Sequence, residues 1–595
     1  MGKGLSPPGA GERNGGHLTV ASLARKARLR TPIVVAVAAW ILAALLFPTH
    51  QPRDVAAAGF TSDAPLDGAA GDDLTAAGPA VGANGSAAGV PGASAAGTAG
   101  GVAAGASTGA VSRGGVTCGP GVHQIPTNTY AGPCVPKFSG NNGGATAPGV
   151  TGTTIRIVRR KFPESANSQA VSAVAQQAGA ADPAQIRATS RVFIDYFEKM
   201  FELYGRHVEW VDYESQYGNS TNEAQGKGRE EACLDADVVA KELHAFAVMG
   251  EALGAAGGVS KVFAECAAQR GVLVLDGAAY ASDAFYKRYH PYIWATAMDC
   301  ERIVYQVVEY LAKRLGQKPA KFAGDAATRA KSRVYGTYVP TGDDDKTCGD
   351  LTQSELKRYG YGDVSGSVYN YTLDVSRFPD EAARGVRQFK SDGVTTVVLA
   401  CDPISVIFLT QSATNQAWYP EWLLIGVALT DVDNLARLYD QKQVQGHMFG
   451  LSQLGATTKL NGPTSEPGRV YQQLTGRPMA LGTDGSYFAY TRFYNFLQSA
   501  GPILTAANVA RGVWTLPKVG APDYAAGEWY FQDGPNGTPG GHDHSAIEDS
   551  REIYWIGNAR SPADGKTGTF AETYGGRRFG NGDWPTEDPP IYPAG

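Results

Sequence analysis

Side chains able to bind a small molecule follow short apolar runs in this chain. Phe246–Met249 leads into Glu251, and Val272–Leu275 leads into Ala278 and Tyr280. Four apolar residues without alternation are typical of a parallel strand covered on both faces. Ligands of open α/β sheets bind beyond the carboxyl ends of such strands. We therefore predict a ligand site at these loops and at similar positions further along. Its candidate residues are Glu251, Gly254, Ala278, Tyr280, Tyr338, Asp343, Asp402 and Asp431.

Several candidates also have a structural interpretation. Tyr280 would contact a ligand or pack within its own unit. Asp402 would accept a hydrogen bond from a ligand ammonium group, or cap the helix that begins at Pro403, and we favour the cap. Asp343–Asp345 is more typical of a solvated loop than of a calcium site, because the Gly and the distal Glu of an EF-hand loop are missing.

The sequence contains no recognisable catalytic motif. GxSxG, HExxH, Walker A and strand-linked GxGxxG patterns are all missing. His542-Asp543-His544 would bind a transition metal only with a third ligand that we cannot assign, so an exposed polar loop is the favoured interpretation. A secreted hydrolase would need a nucleophile and base that we do not find. We expect no enzyme activity, no cofactor and no bound metal.

Charge and cysteine content narrow the class further. A net charge of −5 and a pI near 6.0 give no electrostatic footprint for nucleic acid. The seven cysteines show neither CxxC nor zinc spacing, so in an exported protein they indicate disulfides and an odd thiol. Cys118 and Cys134 bracket a Pro/Gly-rich loop, and a bridge there would contribute about 3 kcal/mol. Two unrelated thiols are the alternative.

The N-terminal region predicts export. Residues 1–31 form a basic leader that would stay in the cytoplasm, and residues 32–48 are apolar. The uninterrupted run Ile33–Phe47 is shorter than the roughly 17–25 residues of a membrane span, and it also fits a signal peptide cleaved near Ala58. Anchor and cleaved signal both remain open. Residues 49–116 are rich in Ala and Gly and predict a disordered linker.

The rest of the chain repeats strand, loop and helix in two α/β units. We predict a segment at 117–150 held by Cys118 and Cys134, the first part of lobe 1 at 151–297, and lobe 2 at 298–448. Residues 449–560 would return to lobe 1 and close it with a strand, and 561–595 would form an irregular tail. Met448–Gly450 marks one expected crossover, and the aromatic helix Gly482–Gly501 is assigned to lobe 1.

An ordered series of segments resembles a known family: GVTGTTIRIV, VAKELHAFAVMGE, AAQRGVLVLDGAAY, YIWATAMDCERI and FKSDGVTTVVLACDP. The chain is similar to type I periplasmic-binding proteins, and most to branched-chain amino-acid-type substrate-binding proteins of ABC transporters. The resemblance implies two Rossmann-like lobes with parallel-sheet cores, a three-segment hinge and a ligand clamped between the lobes. It also implies a first-lobe disulfide in the region of Cys233 and Cys266, whose helices would be neighbours on one face of the sheet.

The resemblance also bears on the ligand. Relatives that bind amino acids present Ser, Ala and Thr at the first two loops, whereas this chain has Leu253–Ala255 and Gly277–Tyr280. A buried zwitterion with unmet hydrogen bonds costs several kcal/mol. We expect a larger, less polar or aromatic ligand contacted by Tyr280 and Tyr338. The predicted function is an extracytoplasmic solute-binding protein that captures an amino-acid-like, amide or aromatic solute between two lobes for an ABC-type importer. A membrane-tethered ligand-sensing ectodomain is the alternative.

Overall fold

The computed structural model describes residues 109–250, 259–341, 345–361, 367–455, 464–520 and 527–591. The predicted leader, apolar segment and most of the linker lie outside these residues, as do Glu251, Gly254 and Asp343. None of the helices described is long and apolar enough to cross a membrane.

Lobe 1 is built on a sheet of five parallel strands in the order β2-β1-β3-β4-β5. The strands are β1 (Thr154–Lys161), β2 (His207–Glu214), β3 (Ala247–Gly250), β4 (Leu273–Leu275) and β5 (Ile293–Trp294). The interior strand β4, between β3 and β5, is buried along its whole length. This burial on both faces explains why it reads as an apolar run without alternation.

Helices cover both faces of this sheet. The helices of this part of the chain are α1 (Ala166–Gln177), α2 (Pro183–Met200), α3 (Ser220–Ala224), α4 (Arg229–Asp237), α5 (Lys261–Gln269) and α6 (Asp283–Arg288), and α2 and α5 pack on opposite faces of the sheet. Asp182 caps α2 by accepting from the backbone N–H of Gln185, and Ser260 caps α5 in the same way. The disulfide between Cys233 and Cys266 joins α4 to α5, as the resemblance implied.

Lobe 2 is built on an eight-stranded sheet. Its strands are β6 (Tyr335–Pro340), β7 (Ser367–Tyr371), β8 (Thr396–Leu399), β9 (Glu421–Ile425), β10 (Met448–Ser452), β11 (Ser550–Arg560), β12 (Thr567–Glu572) and β13 (Arg578–Phe579). The parallel part runs β7-β6-β8-β9-β10 and repeats the order of lobe 1. β11, β12 and β13 extend it with antiparallel pairing.

The helices of lobe 2 are α7 (Cys300–Tyr310), α8 (Ala326–Arg329), α9 (Asp345–Arg358), α10 (Phe378–Ser391), α11 (Pro403–Asn415), α12 (Asp433–Ala436) and α13 (Gln441–Val444). A disulfide between Cys300 and Cys348 joins α7 to α9, a pairing that the sequence left open. Cys401 is the free and buried thiol among the described residues.

The chain crosses between the lobes three times. It leaves lobe 1 after β5, returns after β10, and crosses again near Asp549 into β11. The returning part contains α14 (Glu466–Thr475), α15 (Gly485–Ser499) and α16 (Ala506–Val513). Ala295 and Ser545 form a parallel bridge at the edge of the lobe 1 sheet.

The lobe boundaries differ from our expectation. β10 and β11 lie in the sheet of lobe 2, so residues 449–452 and 550–560 do not belong to lobe 1. All five residues of β10 are buried, and this pattern would suit an interior strand of either sheet. Only the pairing of β10 with β9 and β11 shows that it belongs to lobe 2. The 561–595 region is not simply irregular, since it supplies β12 and β13 and buries Trp584 to 2% exposure.

The cysteine-bracketed segment before β1 packs on lobe 1. Its predicted disulfide between Cys118 and Cys134 is present. Asn128 donates to the Thr491 hydroxyl at 2.9 Å, and Asn495 accepts from the backbone of Gly132 at 2.7 Å. Both partners lie on α15, whose aromatic rings pack against those of α2, so this helix holds the segment on lobe 1.

Candidate ligand-binding cleft

Two loops from opposite lobes meet between the sheets. The loop after β4 contains Tyr280, and the loop after β9 contains Ala428. The backbone N–H of Ala428 donates a hydrogen bond to the Tyr280 hydroxyl at 2.8 Å. Tyr280 and Val427 are also partly buried against a hydrophobic cluster with members from both sheets. The lobes are therefore closed on each other at this point.

Both loops have unusual backbone conformations. Asp276, Ala278 and Tyr280 have φ angles of 66°, 51° and 64°, and Ala428 and Leu429 have 50° and 60°. Residues other than glycine rarely adopt this left-handed backbone conformation, and each one destabilises the fold by about 1–3 kcal/mol. Strained residues of this kind cluster at ligand clamps and switch regions. Their presence on facing loops points to the cleft as the functional site.

Asp276 is the charged residue at the start of the lobe 1 loop. Its carboxylate accepts from the Arg492 guanidinium at 2.9 Å and from the Thr296 hydroxyl. Arg492 comes from α15, and its guanidinium lies 5.2 Å from the centre of the Trp529 ring. Burial lowers the pKa of Arg492, and the nearby Asp276 carboxylate opposes this effect. The pair anchors the strained loop to the helices behind it.

Ala278 lies beneath the loop rather than in the cleft. It is fully buried, its carbonyl accepts from the Tyr286 hydroxyl at 2.5 Å, and its N–H donates to Val259 at 3.3 Å. Its role in the described structure is to hold the loop that presents Tyr280.

A buried charged network supports the region beside β3. Arg160 donates to the Glu223 carboxylate at 2.6 and 2.9 Å and to Asp235 at 2.5 Å. Ser260 donates to Glu223 at 2.5 Å and accepts from the backbone N–H of Phe263 at 3.1 Å. The network thus fixes the first turn of α5, next to the undescribed residues that include Glu251 and Gly254.

The three crossovers are tied together by two side chains. The Gln453 side-chain oxygen accepts from the backbone of Met298 at 3.3 Å, which links the first crossing to the second. Arg578 donates to the carbonyls of Gln453 at 3.0 Å and Leu454 at 2.7 Å. It also donates to the Asp549 carboxylate at 2.8 Å, which links the second crossing to the third.

The His542-Asp543-His544 segment is split between different partners. Asp543 pairs with Arg302 at 2.6 Å, and His542 stacks on Trp514 with ring centres 4.6 Å apart. His544 is buried with its Nε2 atom 3.0 Å from Nδ1 of His290, and burial lowers the pKa of His544 to about 3. The expectation of an exposed polar loop is wrong for Asp543 and His544. The reason is that the returning chain inserts them beside β5 and α7.

No protein family model matches the chain, and no curated protein sequence matches it. Solved structures of similar shape include a fatty acid ABC transporter substrate-binding protein from Thermomonospora curvata. It shares 14% identity and a TM-score of 0.49, covering 75% of this chain and 97% of that one. A leucine-, isoleucine-, valine-, threonine- and alanine-binding protein from Brucella ovis shares 13% identity at a TM-score of 0.47, and the match covers 73% of this chain and 97% of that one. A solute-binding protein of an ABC transporter from Rhodopseudomonas palustris BisB5 was solved in complex with 3,4-dihydroxybenzoic acid. It shares 10% identity with this chain at a TM-score of 0.47, and the match covers 72% of this chain and 98% of that one.

The topology itself decides the fold, because both lobes have the strand order 2-1-3-4-5 and three crossings join them. The chain has the type I periplasmic-binding fold. In this fold the carboxyl ends of both parallel sheets face the cleft, so residues after the strands lie near it. How close each side chain comes depends on where it points.

In the type I periplasmic-binding fold of this chain, Tyr338 lies inside lobe 2 rather than in the cleft. Its ring is fully buried and stacks on Tyr371 at 4.5 Å and on Tyr369 at 5.8 Å. Burial raises the pKa of Tyr338, and no residue of the described chain accepts from or donates to its hydroxyl. The predicted ligand contact of Tyr338 has no support from this placement.

Asp402 caps α11, as we favoured. Its carboxylate accepts from the backbone of Ser405 at 2.8 Å and from the Tyr371 hydroxyl at 2.5 Å. Burial raises the pKa of Asp402, and these hydrogen bonds oppose the shift. Tyr371 therefore links Asp402 to Tyr338, but the carboxylate is directed into lobe 2.

Asp431 is buried in the loop after β9, close to the hinge. Its exposure is 4%, and within the described ranges neither carboxylate oxygen forms a hydrogen bond. Burial raises the pKa of Asp431, while the nearby charges of Arg551 and Arg578 oppose this shift. Of the predicted residues that the structure describes, Tyr280 alone reaches across between the lobes.

Sequence reasoning missed Asp276, Arg492 and the hinge residues Gln453 and Arg578. Asp276 carries a signal, since it follows a buried strand directly. Arg492 and Arg578 carry none, because each comes from a segment far along the chain from its partners.

Proposed function

We propose that this protein is an extracytoplasmic solute-binding protein that captures a small molecule between its lobes by hinge closure. The observation that carries the proposal is the hydrogen bond between Ala428 and Tyr280, made by two strained loops on opposite lobes. Hinged two-lobe proteins close around ligands in this way, with a few residues at the crossings absorbing the motion.

The chemistry of the described cleft favours a weakly polar or aromatic ligand. The ring of Tyr280 and the side chain of Val427 supply apolar surface. The carboxylate of Asp276 is paired with Arg492, so a ligand ammonium group would have to compete with that guanidinium for it. Because unpaired buried charges are costly, a zwitterion would bind less well here than an amide or aromatic solute.

Calorimetric titration of the full-length protein with leucine, valine, benzamide and phenylalaninamide tests this ligand class. We expect heat and a decrease in radius of gyration with the amides and none with leucine. Tight binding of leucine would contradict the ligand class. If native mass spectrometry of protein from its own host finds no small molecule, and the panel produces neither heat nor compaction, the function itself is wrong.

Tyr280→Phe should weaken the binding of a panel ligand, or destabilise the closed state of the two lobes, by roughly 0.5–1.5 kcal/mol, which is the net value of one hydrogen bond. Tyr361→Phe is the matched control, because the Tyr361 hydroxyl donates to the Ala312 carbonyl at 2.8 Å within lobe 2. Equal effects of the two variants on binding would remove Tyr280 from the site.

The partner and location belong to the same proposal. A permease of an ABC-type importer would receive the ligand, and residues 32–48 would either anchor the protein or be cleaved near Ala58. Mass spectrometry of the protein from its host gives the mature N-terminus, and crosslinking in intact cells identifies the membrane partner. Recovery of a sensor kinase in place of a permease would favour the ligand-sensing alternative.

A further inference from the structure

Helix α1 belongs to lobe 1 by sequence and to lobe 2 by packing. It lies between β1 and α2, both elements of lobe 1. Yet Ala175 and Ala178 are buried, at 2% and 0% exposure, in the hydrophobic cluster of lobe 2 that contains Leu373 and Phe378. The helix therefore bridges the two lobes.

The docked face of α1 is a single stripe. Val171, Val174, Ala175 and Ala178 follow the spacing that places side chains on one side of a helix, and all four pack against lobe 2. Ala173, on another side, is exposed. The stripe consists of small side chains, so α1 rests on lobe 2 through a shallow contact.

Polar contacts at the start of α1 also bridge the lobes. Asn167 donates to the hydroxyl of Thr221 in lobe 1 and accepts from the backbone of Val375 in lobe 2, both at 3.3 Å. Close by, the side chain of Gln225 in lobe 1 donates to the Leu373 carbonyl in lobe 2 at 3.2 Å. The bonds from Asn167 to Val375 and from Gln225 to Leu373 are long, and both join the lobes at the same edge of the cleft.

The connections of α1 to lobe 1 are short. Three residues, Phe162–Glu164, separate β1 from the capping residue Ser165, and they span about 10 Å at most. On the other side, α2 begins just after Asp182. When the lobes separate, α1 cannot stay on lobe 2 while both of its ends follow lobe 1.

We propose that α1 is a lid, which docks on lobe 2 when the lobes close and undocks when they open. The lid rests on the proposed function, because ligand exchange is the reason for the lobes to open. Ligand would then enter and leave past the edge of the cleft that α1 covers.

Thiol labelling of the full-length protein tests the lid without any ligand. Ala175→Cys places a thiol on the docked face, Ala173→Cys places one on the exposed face of the same helix, and the native Cys401 reports deep burial in lobe 2. With an aromatic disulfide reagent under native conditions, we expect Ala175→Cys to react at least about tenfold faster than Cys401 and more slowly than Ala173→Cys. Equal rates at Ala175→Cys and Cys401 would overturn the proposal.

The coupling to lobe opening is measured in the same assay. Tyr280→Phe removes the hydrogen bond across the cleft, so it should speed labelling of Ala175→Cys by about two- to tenfold. Tyr361→Phe should leave the rate unchanged. If Ala175→Cys is labelled fast and Tyr280→Phe does not change that rate, α1 frays locally without opening of the lobes. This result would also overturn the proposal of a lid.

Hydrogen exchange of the unmodified chain covers the case in which Ala175→Cys does not fold. The amides of α1 should exchange faster than those of α2, and Tyr280→Phe should speed exchange in α1 more than in α2. Exchange of α1 and α2 at one common rate would contradict undocking. Because no ligand enters these measurements, a failed ligand search would bear on the proposed function and leave the lid result standing.

Discussion

Arg578 should control both the stability and the closure of the two lobes. It is 8% exposed and donates to two hinge carbonyls and to the carboxylate and carbonyl of Asp549. Arg578→Met removes these four hydrogen bonds and leaves Asp549, at 7% exposure, without its cation. Removing one partner of a buried ion pair typically costs 3–5 kcal/mol. We therefore expect a loss of about 3–5 kcal/mol in the free energy of unfolding.

The assay is urea unfolding followed by tryptophan fluorescence, with X-ray scattering of the native variants for lobe separation. Arg577→Met is the matched control, since Arg577 is the exposed neighbour and its guanidinium lies 5.0 Å from the centre of the Phe579 ring. The control should lose about 1 kcal/mol or less. Arg578→Lys keeps the charge but not the planar fork, so its loss should be intermediate.

If Arg578→Met lost no more stability than Arg577→Met, this result would refute the role of Arg578 as a clamp that holds the crossings together. So would a large loss of stability with unchanged scattering, because the clamp would then stabilise the fold without setting the angle between the lobes. The expected scattering result is a larger radius of gyration in Arg578→Met than in the unmodified protein.

Two further predictions concern stability. Burial raises the pKa of Asp484 to about 7, so the folded state holds a proton that the unfolded state releases near pH 4, and stability falls as the pH rises from 4 to 7. Asp484→Asn should therefore become more stable relative to the unmodified protein over this range, by up to about 4 kcal/mol, whereas the exposed Asp195→Asn should show no such trend in urea titrations. Replacing both Cys118 and Cys134 by Ser should cost about 3 kcal/mol in the same titrations, and an unchanged midpoint would show that the disulfide does not stabilise the fold.

Strands buried on both faces were the most predictable part of the fold. The apolar runs Phe246–Met249 and Val272–Leu275 predict strands, and the structure has the strands Ala247–Gly250 and Leu273–Leu275 there. These segments lie in sheet interiors, where burial on both sides selects apolar residues throughout. Sheet membership was not predictable in the same way, because an apolar run records burial and not its partner.

The candidate site was predictable in position but not in side-chain direction. The rule that ligands bind after strands correctly places Tyr280, Asp402 and Asp431 beyond the carboxyl ends of the strands that precede them. It does not show that Asp402 turns inward to cap α11, nor that Asp431 is enclosed beside the hinge. Tyr338 lies within β6, and there the alternation of the strand directs its ring into the lobe.

The direction of the hydrogen bond between the lobes limits what a ligand can do there. Ala428 supplies the donor and the Tyr280 oxygen is the acceptor, so a ligand that separates them must offer an acceptor to Ala428. Amide, carboxyl and phenol oxygens can do this, whereas an ammonium group only donates. An ammonium group would leave the Ala428 N–H unpaired in a partly apolar cleft, which costs about 1–3 kcal/mol. A ligand that replaces this contact would therefore need an acceptor for the Ala428 N–H, whatever the rest of the ligand contains.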